Sequence, residues 1–356
     1  MPLHTLFITN RNLQADDEQY PYGEALSQGV NRLAVATPVT RETVKWKRVY
    51  RGKRLVKKSK RVMSDTYELS PITDQSSELA NNDTAKALMA QHVNELNNNR
   101  PWLLFLHGNN QTLETNLQKA RRIQDLYQVN LLIYSWPSKA FDDDIETFLI
   151  TAGLASFLPG GWIFTKRLAG RGLKRKIKQY KMARQNAKLS AKPFINALHF
   201  LNQHLIAPLQ AQGGVFNMMT HSLGHKVLKD AVVRNPGCFD NIHFNNCILH
   251  QADEDYTAHP SWARHLPVET SSKVTITNNY NDLVLLLSGL LNNGGDIRKP
   301  LTRLGNRKNF SHDSQDLNYF YLTDTDEDIV GWQHGIAWDH RIHPSIKSRF
   351  DALITQ

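Results

Sequence analysis

The fold of this chain is decided by one stretch in its second half, Val215-Phe216-Asn217-Met218-Met219-Thr220-His221-Ser222-Leu223-Gly224-His225-Lys226-Val227-Leu228. It begins as a mostly apolar run, typical of a buried strand, and breaks abruptly at Ser222. After Gly224 the apolar residues follow helical spacing, which predicts a helix. A strand that turns sharply into a helix, with serine at the corner, is a nucleophile elbow. Gly224 supplies a small residue that the tight turn needs, whereas Thr220 stands where this pattern usually has glycine.

The motif also has a simpler interpretation, in which Ser222 is an ordinary N-cap of the helix that follows. A serine followed two residues later by glycine is expected by chance about twice in a chain of this length, at an average usage of roughly 7% for each residue. The other motifs of the chain therefore have to decide between a cap and a nucleophile.

Length and composition predict a globular α/β domain with a basic surface. The chain has 356 residues, 40% of them hydrophobic, which allows a large core. Its 43 Lys and Arg outnumber 33 Asp and Glu, for a net charge of +10, and this charge favours anionic partners without specifying one. Cys238 and Cys247 make no disulfide framework, and the N-terminus lacks the pattern of a signal peptide. We therefore expect a cytoplasmic protein, one that could also bind peripherally to a membrane.

The sheet is expected to be antiparallel at its start and parallel afterwards. Three early strands, Leu6 to Thr9, Arg32 to Val39 and Thr43 to Tyr50, have no helix between them, which favours an antiparallel edge. Trp102 to Leu106 is a continuous apolar run, typical of a central strand covered on both faces. A helix and another buried strand follow after short connections, and this strand-helix-strand order predicts a parallel sheet.

The loop after the central strand, His107-Gly108-Asn109-Asn110, predicts part of an oxyanion hole. Gly108 lets the backbone turn so that the following amides point into a cleft. In the α/β-hydrolase fold, one oxyanion amide comes from this loop, here from Asn109, and the other from the residue after the nucleophile, here Leu223. The alternative is a plain strand-to-helix turn.

Four motifs occur in a fixed order along the chain: Phe7-Ile8-Thr9-Asn10-Arg11-Asn12, Phe105-Leu106-His107-Gly108-Asn109-Asn110, Tyr134-Ser135-Trp136-Pro137-Ser138 and Thr220-His221-Ser222-Leu223-Gly224. Together they resemble an uncharacterised bacterial family of α/β hydrolases, a domain of unknown function, which combines a T-N-R opening, an F-x-H-G-Y-N loop, an S-W-P-S strand end and a G/A-H-S-M-G elbow. The resemblance covers nearly the whole chain and implies an α/β-hydrolase fold, with helices on both faces of the sheet, and a serine hydrolase site. It implies no substrate. Asn109 replaces the family's usual aromatic residue and Thr220 replaces its small elbow residue, and both changes bear on pocket shape and activity.

A serine hydroxyl is a poor nucleophile at neutral pH and needs a histidine base that a carboxylate orients. In this fold the acid follows the serine along the chain, and the histidine comes last. Asp282 comes just after a strand, at the edge of the sheet where such acids lie, and aligns with a similar N-D-x-A-L stretch of the family. Asp253 holds the equivalent place one strand earlier and is the second candidate. Either aspartate could instead cap the helix that follows it.

The histidine has to lie after the last strand, and His334 and His340 are the candidates. His334 is preferred because its distance from that strand resembles that of the family's loop histidine, whereas His340 lies closer to the final helix. His343 is expected beside the cap of that helix. Five further residues are expected to flank the site: His107, Gly108, Asn110, His221 and Gly224. The two histidines among these five are expected to pack or hydrogen-bond rather than to act as bases.

Two segments are expected to carry most of the positive charge. Residues 141–192 resemble a cap or lid insertion, in which an uncharged stretch from Phe148 to Phe164 precedes eight Lys or Arg between Lys166 and Lys181. One interpretation is an interfacial lid over the active site, and the other is a packed cap with a solvated basic face. Residues 41–82 are expected to form a strand region with eleven Lys or Arg up to residue 61, followed by a polar surface loop from residue 64.

The leading hypothesis is a serine hydrolase of ester or thioester bonds that forms an acyl-enzyme on Ser222. The apolar and cationic insertion favours lipids or acyl chains as substrates. The alternative is a catalytically silent protein of the same fold that binds anionic membranes or nucleic acid through its basic surfaces. Nucleic acid is the less expected partner, because the sequence has no RNA-binding signature. It also has no cofactor motif and no cluster of metal ligands, so neither a cofactor nor a metal is expected.

Overall fold

The computed structural model describes residues 4–14, 21–27, 29–51, 54–72, 79–95, 100–138, 171–257, 259–266, 268, 273–292, 302–308, 317–324, 333–339 and 341–356. For residues 41, 43–51, 54–60, 62–66, 171–177, 290 and 324 it describes the backbone alone.

The described residues form strands and helices in an order that becomes alternating after the first five strands. The strands are β1 Thr5–Thr9, β2 Arg11–Leu13, β3 Tyr22–Leu26, β4 Arg32–Arg51, β5 Arg54–Pro71, β6 Trp102–Leu106, β7 Asn130–Ser135, β8 Phe216–His221, β9 Cys247–His250, β10 Val274–Asn278 and β11 Leu317–Tyr321. The helices are α1 Asp83–Asn94, α2 Leu113–Tyr127, α3 Arg171–Leu201, α4 Ala207–Gln210, α5 Gly224–Arg234, α6 His259–Ala263, α7 Leu283–Asn292 and α8 Pro344–Thr355. A π-helical turn, Asn202–Ile206, joins α3 to α4, and 3-10 turns lie at Leu79–Asn81, Leu304–Asn306, Leu322–Asp324 and Ile336–Trp338.

In the part of the chain that the structure describes, nine strands form one sheet in the order β11-β10-β9-β8-β6-β7-β1-β4-β5. All neighbours from β11 to β1 are parallel, whereas β1 with β4 and β4 with β5 are antiparallel. The expected antiparallel start and parallel continuation are therefore confirmed. Because the central strands are parallel, their carboxyl ends, and the loops that follow them, lie along one edge of the sheet.

Both faces of the sheet are covered by helices, which explains the continuous apolar run of β6. Leu104 and Leu106 are fully buried in a core that includes side chains of α1, α3 and α5. Leu103 and Phe105 are fully buried in a second core with side chains of α2 and α8. Each such side chain contributes about 1.5–3 kcal/mol of burial free energy. The structure is thus an α/β fold with a mostly parallel sheet, as predicted.

The basic region contains strands, as predicted, but the bounds of these strands differ from the prediction. Residues 32–39 and 43–50 were expected as two strands, but β4 runs unbroken through both and pairs with β5 from Ala34 opposite Pro71 to Arg51 opposite Arg54. Residues 64–71, expected to be a surface loop, belong to β5. The backbone pairing with β4 overrides the low strand propensity of this polar sequence. Near its base the hairpin joins the core, where Tyr67 and Leu69 are buried.

The insertion expected at residues 141–192 also has a different C-terminal end in the structure. Residues 139–170, including the apolar stretch from Phe148 to Phe164, lie outside the described residues. Residue 192 falls inside α3, which continues to Leu201. Ala183, Ala187 and Ala191 recur at helical spacing and are buried in the core. The last part of the predicted insertion, residues 183–192, therefore belongs to a helix that packs in the core. No helix among the described residues is both long and apolar enough to cross a membrane.

Candidate active site

Ser222 sits at the corner between β8 and α5 in a strained backbone conformation. Its φ of +50° lies in the left-handed region, which residues other than glycine rarely adopt. A Cβ atom on Gly224 would lie 2.6 Å from the carbonyl oxygen of His107, and one on Gly108 would lie 2.7 Å from Cβ of Ser222. Glycine is therefore required at both positions by close packing of the two loops. The corner has the geometry of a nucleophile elbow, and the N-cap position of α5 belongs to Leu223.

Hydrogen bonds from the neighbouring strand hold this corner in place. The Ser222 amide donates to the carbonyl oxygen of His250 at 3.2 Å, and the Asp253 amide donates to the carbonyl oxygen of Ser222 at 3.1 Å. The Nδ1 atom of His225 lies 2.8 Å from that same carbonyl oxygen, to which it donates. A strained residue persists when its surroundings fix it from several sides, and such residues cluster at functional sites.

The structure brings Asp282 and His334 together. Asp282 is fully buried, and its Oδ2 atom lies 2.6 Å from Nδ1 of His334. A carboxylate only accepts, so Nδ1 carries a hydrogen, and in the neutral ring Nε2 keeps its lone pair. The Oδ1 atom of Asp282 accepts from the amide of Leu285 at 3.1 Å, in the first turn of α7. Asp282 thus serves as a helix cap and as the partner of a histidine at the same time.

Gln251 is a residue of this site that the sequence analysis missed. It is fully buried, and its Nε2 atom donates to Oδ2 of Asp282 at 2.7 Å and to the carbonyl oxygen of Gln333 at 2.9 Å. Its Oε1 atom accepts from the amides of Gly335 at 2.6 Å and Ile336 at 3.2 Å. One side chain therefore ties the loop of His334 to the acid. The sequence feature that could have identified Gln251 is its position directly after β9, at the carboxyl edge of the sheet.

Asp253, the second candidate acid, is bound by other partners. Its Oδ1 atom lies 2.8 Å from Nε of Arg303 and also accepts from the hydroxyl of Ser288. Its Oδ2 atom accepts from the hydroxyl of Tyr180 at 2.8 Å. Burial acts to raise the pKa of Asp253, but Arg303 and the two hydroxyl groups outweigh it and leave the pKa below its usual value. His340, the second candidate base, lies outside the described residues.

A small cavity lies beside Ser222, Asp253 and His334. Its volume is about 30 Å³, which is room for little more than a water molecule. It is lined by Asn109, Asn110, Tyr180, His221, Ser222, Asp253, Val284, Ser288, Leu291 and His334. A larger cavity of about 330 Å³ lies between the 3-10 turn at Leu79–Asn81 and α3. Among the described residues that line the larger cavity there is no serine, cysteine or carboxylate, so size alone does not identify the chemically equipped site.

The two candidate oxyanion donors lie beside Ser222. Leu223 precedes α5, and the first amides of a helix have no acceptor within the helix. The helix dipole adds partial positive charge at the same end. Asn109 lines the cavity, and Asn110 after it adopts a φ of +55°, so the loop turns sharply at this point. Thr220, the unusual elbow residue, is buried in β8, and its hydroxyl has no hydrogen-bond partner among the described residues.

His107 holds the loop rather than facing the cavity. Its Nε2 atom accepts from the amide of Trp136 at 3.1 Å, and its ring stacks on Trp136 with centroids 5.4 Å apart. Its Nδ1 atom donates to the carbonyl oxygen of Gly108 at 2.8 Å. Burial, and then the charge of Arg11, hold the pKa of His107 well below its usual value. His107 is therefore a neutral ring whose two nitrogen atoms are already occupied.

Arg11 joins three of the sequence motifs beneath the site. It is fully buried, and its Nη2 atom donates to the carbonyl oxygens of Gln111 at 2.8 Å and Trp136 at 2.9 Å. Its Nε atom donates to the hydroxyl of Ser135 at 2.9 Å. The opening motif, the loop after β6 and the end of β7 are therefore joined by one guanidinium group. This accounts for the presence of a buried arginine so near the beginning of the chain.

His221 packs against the candidate base. Its ring centroid lies 4.5 Å from that of His334 and 4.5 Å from the ring of Trp338. Neither of its ring nitrogens has a hydrogen-bond partner among the residues described. Burial, followed by the neighbouring His334, holds the pKa of His221 well below its usual value. The neutral ring of His221 therefore places no positive charge beside His334.

The comparisons with known proteins add no family. No protein-family model matches the chain, and no curated protein matches it. The similarity to an α/β-hydrolase family therefore remains a prediction from the four motifs.

Proposed function

We propose that this chain is a serine hydrolase of the α/β-hydrolase fold, which cleaves ester or thioester bonds through an acyl-enzyme on Ser222. The observation that carries the proposal is the hydrogen bond between Asp282 and His334, which lines the same cavity as Ser222. Nucleophile, acid and histidine follow β8, β10 and β11 in that order, which is the order of the triad in this fold.

In the proposed reaction, Nε2 of His334 takes the proton of the Ser222 hydroxyl as that oxygen attacks the carbonyl carbon of the substrate. The imidazolium that results is stabilised by Asp282, which also fixes the tautomer of the neutral ring. The amides of Asn109 and Leu223 donate to the oxyanion of the tetrahedral intermediate. His334 then gives the proton to the leaving alcohol or thiol. A water molecule, activated by the same histidine, hydrolyses the acyl-enzyme.

The cavity favours a small, uncharged acyl group. Val284 and Leu291 supply its apolar surface, and its volume of about 30 Å³ leaves little room beside Ser222. The described residues that line it include no lysine or arginine, so none of these side chains would attract an anionic acyl group.

A panel of p-nitrophenyl esters of increasing chain length tests this proposal, with the Ser222→Ala variant as the control for background hydrolysis. We expect the acetyl ester to react fastest and the variant to be inactive. Faster reaction of long-chain esters would favour the lipid substrates that the apolar and cationic segment suggested. Equal rates for the wild-type protein and the variant would contradict the proposed function.

A second candidate function rests on the long hairpin of β4 and β5. Its backbone pairing extends to Arg51 and Arg54, and eleven Lys or Arg lie between residues 41 and 61. A long hairpin with so many basic residues favours a polyanionic partner, such as an anionic membrane or a nucleic acid. If this is the main function, Ser222→Ala should leave binding to anionic vesicles and to duplex DNA unchanged, and the wild-type protein should hydrolyse no ester.

A further inference from the structure

Three potential metal ligands meet at the edge of the sheet opposite Ser222. His4 directly precedes β1, and His92 and Glu95 lie one turn apart at the end of α1. One ligand atom from each lies within 4.8 Å of the others. No metal site is expected from the sequence, because 88 positions separate His4 from His92 and the fold alone brings them together.

The spacing of these atoms fits a tetrahedral ion. Oε2 of Glu95 lies 3.4 Å from Nε2 of His4 and 3.6 Å from Nδ1 of His92. With metal-ligand bonds of about 2.0–2.1 Å, two ligands of a tetrahedral Zn²⁺ ion are separated by roughly 3.3–3.4 Å. The observed distances are also longer than a normal hydrogen bond. Little movement would therefore turn the three side chains into ligands of one ion.

His92 gives independent evidence for a ligand. Only 8% of the residue is exposed, and neither ring nitrogen has a hydrogen-bond partner in the described part of the chain. Buried polar atoms normally have a partner, so an orphaned imidazole needs an explanation.

Neighbouring groups orient the three side chains. Nε2 of Gln91 donates to Oε1 of Glu95 at 2.7 Å, which leaves Oε2 directed to the two histidines. His92 packs edge-on against Trp102 with ring centroids 5.6 Å apart. The amide of His4 donates to Oδ1 of Asn130 at 3.1 Å, which fixes the backbone at the start of β1. Such supporting contacts are typical of metal sites.

We propose that His4, His92 and Glu95 bind a divalent transition-metal ion of the Zn²⁺ class. Two imidazoles and one carboxylate suit Zn²⁺, Co²⁺ and Ni²⁺ better than Ca²⁺ or Mg²⁺. The side chains of His4 and Glu95 are 24% and 38% exposed, so water can complete the coordination. The ion would clamp the start of the first strand to α1. Because the site lies at the opposite edge of the sheet from Ser222, its role is structural and independent of the proposed hydrolase.

Isothermal titration of the full chain with Zn²⁺, after removal of metals by a chelator, tests the site. We expect the wild-type protein to bind one ion at the cluster. The variants His4→Gln and Glu95→Gln change partly exposed side chains and should fold normally. Each should weaken binding by at least about tenfold, since even loss of an outer-shell contact costs about 10–100-fold in affinity. Gln91→Ala removes such an outer-shell contact. Its affinity for Zn²⁺ should lie between that of the two ligand variants and that of the wild-type protein.

His243→Gln provides the matched control, because it removes an exposed histidine elsewhere in the protein. It should leave the affinity unchanged. Zn²⁺ should also raise the melting temperature of the wild-type protein and of His243→Gln, but not of His4→Gln or Glu95→Gln, because a ligand of the native state stabilises it. Absence of binding, or an affinity that His4→Gln and Glu95→Gln leave unchanged, would overturn the proposal and leave a simple histidine-glutamate ion pair.

Discussion

The Nδ1 atom of His334 lies 2.6 Å from the Oδ2 atom of Asp282, although 52 positions separate the two residues in the chain. The same oxygen accepts a second hydrogen bond from Gln251, at 2.7 Å. The acid, the histidine and the amide that connects them come from three loops at one edge of the sheet. Such an arrangement fixes the orientation of the imidazole, as the proposed role of His334 as a general base requires.

The two candidate acids can be separated by matched substitutions. Asp282→Asn should lower kcat about ten-thousandfold, because the wrong tautomer of His334 would then face Ser222. The loss of stability should be the smaller effect, because the asparagine oxygen can still accept from the Leu285 amide, although the nitrogen that replaces Oδ2 cannot accept from Gln251. Steady-state kinetics with a small ester, together with thermal unfolding, provide the two readouts.

Asp253→Asn is the control, and the opposite result is expected from it. Activity should be largely retained, whereas the free energy of unfolding should fall by about 3–5 kcal/mol, because Arg303 would lose its buried partner. An inactive Asp253→Asn variant beside an active Asp282→Asn variant would reverse the assignment of the acid.

The choice of histidine is tested in the same assay. His334→Ala should be as inactive as Ser222→Ala, with a loss of about a million-fold in kcat, because the members of a triad act as a unit. His340→Ala is the comparison and should keep its activity. If His340→Ala is the inactive variant, the base is wrongly assigned although the class of enzyme stands.

Gln251 is expected to act by positioning the histidine loop. Gln251→Leu has a similar size but loses the hydrogen bonds to Asp282 and to the backbone of residues 333, 335 and 336. We expect kcat to fall about a hundredfold with little change in KM, since small misplacements of a catalytic group have effects of this size. A fall in stability with an unchanged kcat would limit Gln251 to a structural role.

Buried histidines should make the fold sensitive to mild acid. Burial lowers the pKa of His225 to about 4, partly opposed by its hydrogen bond to Ser222 and by Asp253. In the unfolded chain the pKa is about 6.5, so below that pH the unfolded state binds a proton that the native state does not. Stability should be constant above about pH 7 and fall as the pH decreases towards 4, by up to about 3 kcal/mol for this residue.

The pKa values of His107, His221 and His250 are shifted in the same direction, also chiefly by burial, and should add to the effect. Urea unfolding at a series of pH values measures it. A free energy of unfolding that stays constant or rises between about pH 7 and pH 5 would contradict the expectation.

The parts of this structure that follow from local sequence were predicted, and those that depend on distant segments were not. The turn at Ser222 is local, because a buried strand, a serine and Gly224 occupy adjacent positions. The candidate acid and histidine were predicted from their order along the chain, from their places after strands and from the resemblance to the family, and the structure brings these two side chains together. Gln251 was missed because its role depends on two other loops that the sequence does not connect with it.

Two other differences between the prediction and the structure also arise from contacts between distant segments. The polar residues 64–71 are a strand because β4 lies beside them, and their own composition favours a loop. His4, His92 and Glu95 become neighbours only when β1 and α1 pack together. Pairing between strands and packing between elements are tertiary effects, and single-sequence patterns carry little information about them.

The central claim is that Ser222 is an activated nucleophile, and its reaction with a fluorophosphonate probe tests this most directly. After incubation of the full chain with the probe, digestion and mass spectrometry locate the modified residue. The account predicts one adduct, on Ser222, which is absent from Ser222→Ala and much slower to form in His334→Ala. An unmodified wild-type protein, or an adduct that forms equally fast in His334→Ala, would contradict it.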